Sequence, residues 1–165
     1  MGKRVRLNAG DIFTFDLDDE RVGAGQIIEP GMVFLITILE PAFPKGLELS
    51  KLDPSEILLT GWTTDAQFFH DRWHVMGNLP IPASGIPRPC SKVRIGDEFW
   101  IQDYRATPVR KAAESELELL DFHTSRSPIA YQSALKAHHG LEKWHPDYEK
   151  LTKAYRAAQA ALCSA

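Results

Sequence analysis

Apolar and polar positions alternate in short runs over the first hundred residues, and glycine, proline or paired acidic residues punctuate them. That rhythm predicts antiparallel strands joined by hairpins. Residues 12–17 alternate bulky side chains, Asp18-Asp19 marks a turn, and residues 21–28 form the returning strand. Pro30-Gly31 supplies the next turn. Residues 32–39, apolar except for Thr37, read as a strand covered on both faces and therefore placed centrally in its sheet. After Pro41 and Pro44 the stretch 47–56 is a connection able to hold a short turn of helix. Residues 57–63 and 72–77 predict two more strands flanking a polar connection, with Trp62 and Trp73 as large core anchors. Pro80, Pro82, Pro87 and Pro89, together with Gly85, exclude a regular strand or helix from residues 78–89. Gly96-Asp97 turns into a further strand over 98–103. Residues 114–122 satisfy two readings, a strand through Leu117 and Leu119 or a helix through their Glu and Leu content.

The periodicity then changes. Ser127-Pro128 is a helix start, with serine at the cap and proline at the first helical position. Gly140 supplies the stop, and His138 and His139 fall in the last turn, where the helix dipole favours cations. Pro146 and Asp147 open a last helix in which Tyr148, Leu151, Tyr155, Ala158 and Leu162 repeat at spacings of three and four. The fold class expected is α+β, a strand-rich antiparallel sheet or partial barrel followed by two C-terminal helices. A single domain over 1–165 is expected, mainly β over 1–126 and helical over 127–165.

Composition narrows the partners. With 165 residues, 44% of them apolar and 25% charged, the chain suffices for one compact core. Its longest apolar run is less than half of what a bilayer span needs, so no membrane partner is expected. The net charge is −3 and the basic residues are scattered, which argues against nucleic acid, since neutralising phosphates takes a Lys/Arg stripe. Lys3, Arg4 and Arg6 near the start are followed by no apolar signal core. The two cysteines, Cys90 and Cys163, form no disulfide framework, so both are expected as thiols in a reducing cytoplasm.

Several residue groups invite a chemical reading. His70-Asp71-Arg72-Trp73-His74 has the spacing of a helical zinc-hydrolase motif, with aspartate in place of glutamate. On a strand, as the following residues suggest, those histidines stand about 13 Å apart, too far to share one ion. His138, His139, His145 and Asp147 form a second cluster, divided by a helix end. Cys90 lacks a nucleophile signature. Gly23-Ala24-Gly25 has no following helix, lysine or hydroxyl residue to make a phosphate loop, and is read as a bulge or a close strand approach. Glu114, Glu116 and Glu118 alternate along one solvated face. A small metal-dependent hydrolase using His70/His74 or His138/His139/His145 is one alternative reading, and a nucleic-acid-associated β-barrel module is another. Neither a catalytic residue nor a cofactor is expected.

Two surface features suit partner binding instead. Asp16, Asp18, Asp19 and Glu20 gather four carboxylates around one hairpin turn, and Gly85 leads into a stiff segment formed by Ile86, Pro87 and Arg88.

The order Gly10-Asp11-Ile12-Phe13, then Gly23-Ala24-Gly25-Gln26-Ile27, then Arg72-Trp73-His74-Val75-Met76-Gly77-Asn78 with Pro80 and Pro82, resembles the immunity protein 26 family of bacterial polymorphic toxin systems. Ser127-Pro128-Ile129-Ala130 before Ala134-Leu135 extends the likeness, which runs over residues 8–139 and leaves the final helix as an addition. The resemblance implies a cytoplasmic antitoxin that blocks a toxin by binding it directly. No catalytic residue carries over, and the motif residues are of the types that build strands and turns.

Overall fold

The structure is a computed structural model describing Gly2 and residues 4–163; Lys3 lies outside the described residues. The chain forms two compact units, one holding the described residues up to Ile86 together with Ser125–Thr152, the other holding Pro87–Thr124 and the helix Lys153–Cys163. The class is α+β, as expected.

In the first unit the strands are β1 (Asp11–Asp16), β2 (Arg21–Glu29), β3 (Phe34–Leu39), the two-residue β4 (Phe43–Pro44), β5 (Ile57–Thr63) and β6 (His74–Asn78). They form one antiparallel sheet in the order β5-β3-β2-β1-β6, with β4 paired to β2. Every residue of β3 is buried, which explains its apolar run. Met32, at the head of that run, lies instead in the turn and is 96% exposed. The connection between β5 and β6 is not merely polar; it contains the short helix α1 (Ala66–Phe69).

One face of this sheet carries an aromatic core. The Trp73 ring stacks on Phe13 and Phe15 at centroid distances of 4.8 and 5.1 Å, and Phe68 meets Trp73 edge-on at 5.6 Å. Trp73 is thus buried, but in the bend before β6, an outer strand, and not in a central strand. Two glycines make the stacking possible: Gly25 and Gly23 stand opposite Phe13 and Phe15. A Cβ on Gly23 would lie 2.7 Å from both the Phe15 ring and Leu135. The Gly-Ala-Gly segment is therefore a close approach of rings to backbone, the device by which aromatic side chains cover glycines across a strand pair.

Helix α2 (Pro128–His138) covers that face with Tyr131, Ala134 and Leu135, all 0% exposed. Gln132 accepts a 3.1 Å hydrogen bond from Trp73 Nε1, and the Tyr131 hydroxyl donates to the carbonyl of Trp62 at 3.0 Å. Trp62 itself is only half-buried. Gly140 ends α2 with φ at +76°, a conformation that favours glycine. Ser127 precedes the helix but makes no side-chain cap bond. The opposite sheet face packs Ile12, Ala24, Leu39, Leu52 and Ile57 beneath the 47–52 connection and Leu79.

The second unit pairs β7 (Ser91–Ile95), β8 (Glu98–Gln102) and β9 (Pro108–Lys111) in an antiparallel sheet. A short 3-10 turn at Glu114–Glu116 and α3 (Lys153–Cys163) complete it, so residues 114–122 are neither the strand nor the helix. Its core is Cys90, Ile101 and Leu120, with Ala112, Leu162 and Cys163 partly buried around them. Cys90 and Cys163 form a disulfide across 73 residues of sequence. This corrects the expectation of two thiols: α3 returns the chain end to the start of β7, a proximity that spacing along the chain does not encode.

The expected last helix is likewise not continuous. Residues Pro146–Leu151 form a 3-10 helix, Thr152 is extended, and α3 starts afterwards. Tyr148 and Leu151 pack in the first unit, whereas Leu162 packs in the second, so one periodic seam serves two cores.

Candidate functional site

The acidic turn joins β1 to β2 and is held at several points. Leu17 is buried at its base, and the amides of Leu17 and Asp18 both donate to the Arg21 carbonyl. Asp18 closes the turn: Oδ1 accepts from the amides of Glu20 (2.9 Å) and Arg21 (2.7 Å), while Oδ2 accepts from Arg21 Nε (2.9 Å) and Nη2 (2.7 Å). These bonds, the Arg21 side chain first, hold the Asp18 carboxyl below the usual carboxylate range. Gln132 of α2 donates to the Asp16 carbonyl at 3.2 Å, and the Lys45 amide donates to the Glu20 carbonyl at 3.1 Å.

Asp18 is thus spent on building the turn. Asp16, Asp19 and Glu20 are exposed, and the nearest cation to Asp16 is Lys45 at 4.0 Å. The result is three solvent-facing carboxylates on a backbone fixed by β4, α2 and Asp18. At such exposure a pair like Asp16–Lys45 contributes little to stability.

The proline-rich segment is arranged differently. Ile86 is half-buried against the Ile12–Ala24–Leu39 cluster of the first unit. Pro87, the first residue of the second unit, is buried; Arg88 is exposed, its guanidinium 5.0 Å from the Tyr104 ring centroid. Arg105 lies over the same ring at 5.2 Å. Of the three residues expected at a contact surface, only Arg88 faces solvent freely.

The histidines do not converge. His70 ends α1 and His74 begins β6, separated by Asp71 at φ +56°; His74 Nδ1 lies 3.3 Å from the Asp71 carboxylate. His145 caps the 3-10 helix by accepting from the Asp147 amide at 3.2 Å. His138 and His139 turn to Glu40, at 3.6 Å from its carboxylate and 2.7 Å from its carbonyl respectively. Among the described residues no group of three or more His, Cys, Asp or Glu is placed to hold a metal ion. Sequence reasoning missed the open depression these two histidines share with Glu40, Pro41, Ser55, Glu56 and Ile57, about 510 Å³ in volume. Only the adjacent histidines at a helix end hinted at it.

The motif residues assemble into a polar knot that joins three strands. Gly10, at φ +88°, donates to the Ile27 carbonyl and accepts from the Leu79 amide. Asn78 Nδ2 donates to Asp11 Oδ1 (3.0 Å) and to the Ala9 carbonyl (2.9 Å), and buried Gln26 donates to the Leu79 carbonyl at 2.9 Å. Gly10, Asp11, Gln26 and Asn78 therefore fix β1, β2 and β6 to one another. They build the fold that carries the acidic turn at the far end of β1 and β2; Gly10, Asp11 and Gln26 are buried, and Asn78 is exposed at the edge.

A family model described as Immunity protein 26 matches residues 8–99, more than half of the chain. The match takes in the knot, the acidic turn and the whole first-unit sheet, and ends within β8, so Ser127-Pro128 and α2 lie beyond it. No curated protein and no solved structure matches the chain.

Proposed function

The chain belongs to the Immunity protein 26 family, and from that premise we propose that it neutralises a cognate bacterial toxin domain by direct protein–protein contact, in the cytoplasm, without catalysis or cofactor. The match over residues 8–99 carries this reading. Among the described residues no helix is long and apolar enough to cross a membrane, and neither a lipid surface nor a nucleic acid is a partner in this proposal.

The contact we assign first is the acidic turn. Asp16, Asp19 and Glu20 face the toxin, and Asp18 holds their backbone at fixed spacing through Arg21. A toxin that acts on nucleic acid presents a basic surface to phosphates, which three preorganised carboxylates complement. Such charges act chiefly by steering encounter, so association slows as salt rises beyond about 0.15 M, where the screening length is roughly 8 Å. In the second contact segment Ile86 and Pro87 set the chain path and Arg88 meets the partner.

Changing Asp16, Asp19 and Glu20 together to lysine, with Asp18 left in place, tests the turn. Surface plasmon resonance against the cognate toxin domain is expected to show an association rate at least about tenfold lower at low salt, with the difference shrinking as salt increases. An unchanged association rate removes the turn from the interface. Absence of any complex between the unaltered protein and that toxin overturns the immunity reading itself.

A further inference from the structure

We propose that the Cys90–Cys163 disulfide is a thiol–disulfide exchange site through which a dithiol reductant loosens the second unit while the first stays folded. The chain leaves this unit at Thr124 and re-enters it at Lys153. Helix α3 therefore rejoins the β7–β8–β9 sheet by non-covalent contacts and this one bond. Gln159 accepts from the Asp121 amide (3.2 Å) and donates to the Leu119 carbonyl (2.7 Å), and the Tyr155 hydroxyl donates to Asp121 Oδ2 (2.6 Å). Among the described residues the unit's hydrophobic cluster buries Cys90, Ile101 and Leu120, so one cystine sulfur belongs to the core itself. A unit below about 70 residues with so small a core is of the kind that depends on a cross-link. The loop it closes passes through Ser125–Thr152 of the first unit, which stays folded, so cutting the bond frees the second unit's own segments, up to Thr124 and from Lys153 on.

The two sulfurs differ in access. Cys90 is 4% exposed, whereas Cys163 is half-buried at the end of α3. A thiolate of the reductant attacks Cys163 Sγ and forms a mixed disulfide there; the Cys90–Cys163 bond breaks, and Cys90 leaves as a thiolate that takes up a proton. The reductant's second thiol then attacks its own sulfur in the mixed disulfide and releases Cys163 as a thiol. Two electrons have moved to the protein, and the reductant has become a disulfide. Nothing in the first unit shares this bond; its aromatic core is complete without it. The family match ends at residue 99, so Cys163 and α3 are an addition whose order depends on the redox state. The proposal is independent of which partner the protein binds.

Hydrogen exchange read by mass spectrometry on the full chain, air-oxidised or reduced with dithiothreitol, tests it without mutation. Amides of Ser91–Ile95, Glu98–Gln102 and Lys153–Cys163 are expected to exchange about a hundredfold faster or more on reduction, while Asp11–Asp16, Arg21–Glu29 and Phe34–Leu39 keep their rates. Cys163→Ser is expected to reproduce the reduced pattern without reductant. Unchanged exchange in the second unit, or an equal rise in both units, overturns the proposal, as does finding two free thiols by alkylation of the air-oxidised protein. Trapping the mixed disulfide with a monothiol is expected to label Cys163; labelling of Cys90 instead overturns the assigned point of attack.

Discussion

Around Trp73 the first unit brings Phe13, Phe15 and Phe68 into mutual ring contact beneath α2, whereas the second unit closes on Cys90, Ile101 and Leu120 with a disulfide beside them. The first unit draws its stability from apolar surface removed from water and from ring geometry. The second sets a disulfide and paired charges beside its smaller core. Arg110 makes a two-pronged pair with Glu116, at 3.0 and 2.7 Å, and the Glu116 carboxyl also caps the Ala113 amide. These bonds pull the Glu116 carboxyl down to about 2, the Arg110 contact first. Burial, followed by the bond to Asp121, pushes the Tyr155 hydroxyl up to about 12. Burial and then Arg156 depress the His123 imidazole. The unit with the smaller core is therefore the one whose stability should answer to reductant, and Glu116 and Tyr155 give it a pH response at both ends.

The largest effect that sharpens this contrast is Trp73→Ala. It removes a ring buried at 2% exposure among three others and leaves Gln132 without its indole donor. A loss of about 3–5 kcal/mol is expected, read as a lower urea midpoint. The protected amides of β1–β3 should open with the transition. An unchanged midpoint would falsify the assignment of Trp73 to the core and place it on a surface.

A smaller effect is expected from Gly25→Ala. The added methyl meets the Phe13 ring and the Thr37 carbonyl, and backbone on one side leaves little room to yield. Overpacking of this kind costs about 1–3 kcal/mol. Circular dichroism melts would register it, and the second unit's exchange rates should not follow. If a melt shows no cost, the glycines of β2 are not required by ring stacking.

The smallest change concerns the second unit's response to pH. Glu116 has a folded pKa of about 2 against an ordinary value of 4.5, so its contribution is complete above pH 4.5 and disappears as pH falls toward 2. Tyr155 works in the opposite direction: its contribution is complete below pH 10 and disappears as pH climbs toward 12. Glu116→Gln is expected to flatten the acid limb for the amides of β7–β9 in NMR titrations and to leave the alkaline limb alone. An acid limb identical to that of the unaltered protein would show that the Arg110 pair is not what makes the second unit acid-sensitive.

Much of the first unit was legible along the chain because its signals are local. The β1–β2 hairpin follows from alternation around Asp18-Asp19, the burial of β3 from an unbroken apolar run, and the end of α2 from Gly140. The acidic turn was equally visible, since its four carboxylates are neighbours in sequence. What sequence did not separate was Asp18, which builds the turn, from Asp16, Asp19 and Glu20, which face outward. That division depends on where the Arg21 side chain folds back. Strands β7 and β9 escaped notice because Ser91–Ile95 and Pro108–Lys111 carry charged and exposed residues at positions where alternation would show.

By itself, then, the sequence determined β1, β2, β3 and β5 with the turns between the first three, the α+β class, the family motifs and the acidic hairpin, all of which rest on neighbours within a few residues. Tertiary structure alone decided that Gly10, Asp11, Gln26 and Asn78 meet in one knot and that the final periodic seam breaks at Thr152 to serve two cores. It also decided that Cys90 and Cys163 meet. Contacts of this range depend on how the whole chain closes its loops, and hydrophobic period, charge pattern and cysteine spacing do not record that closure.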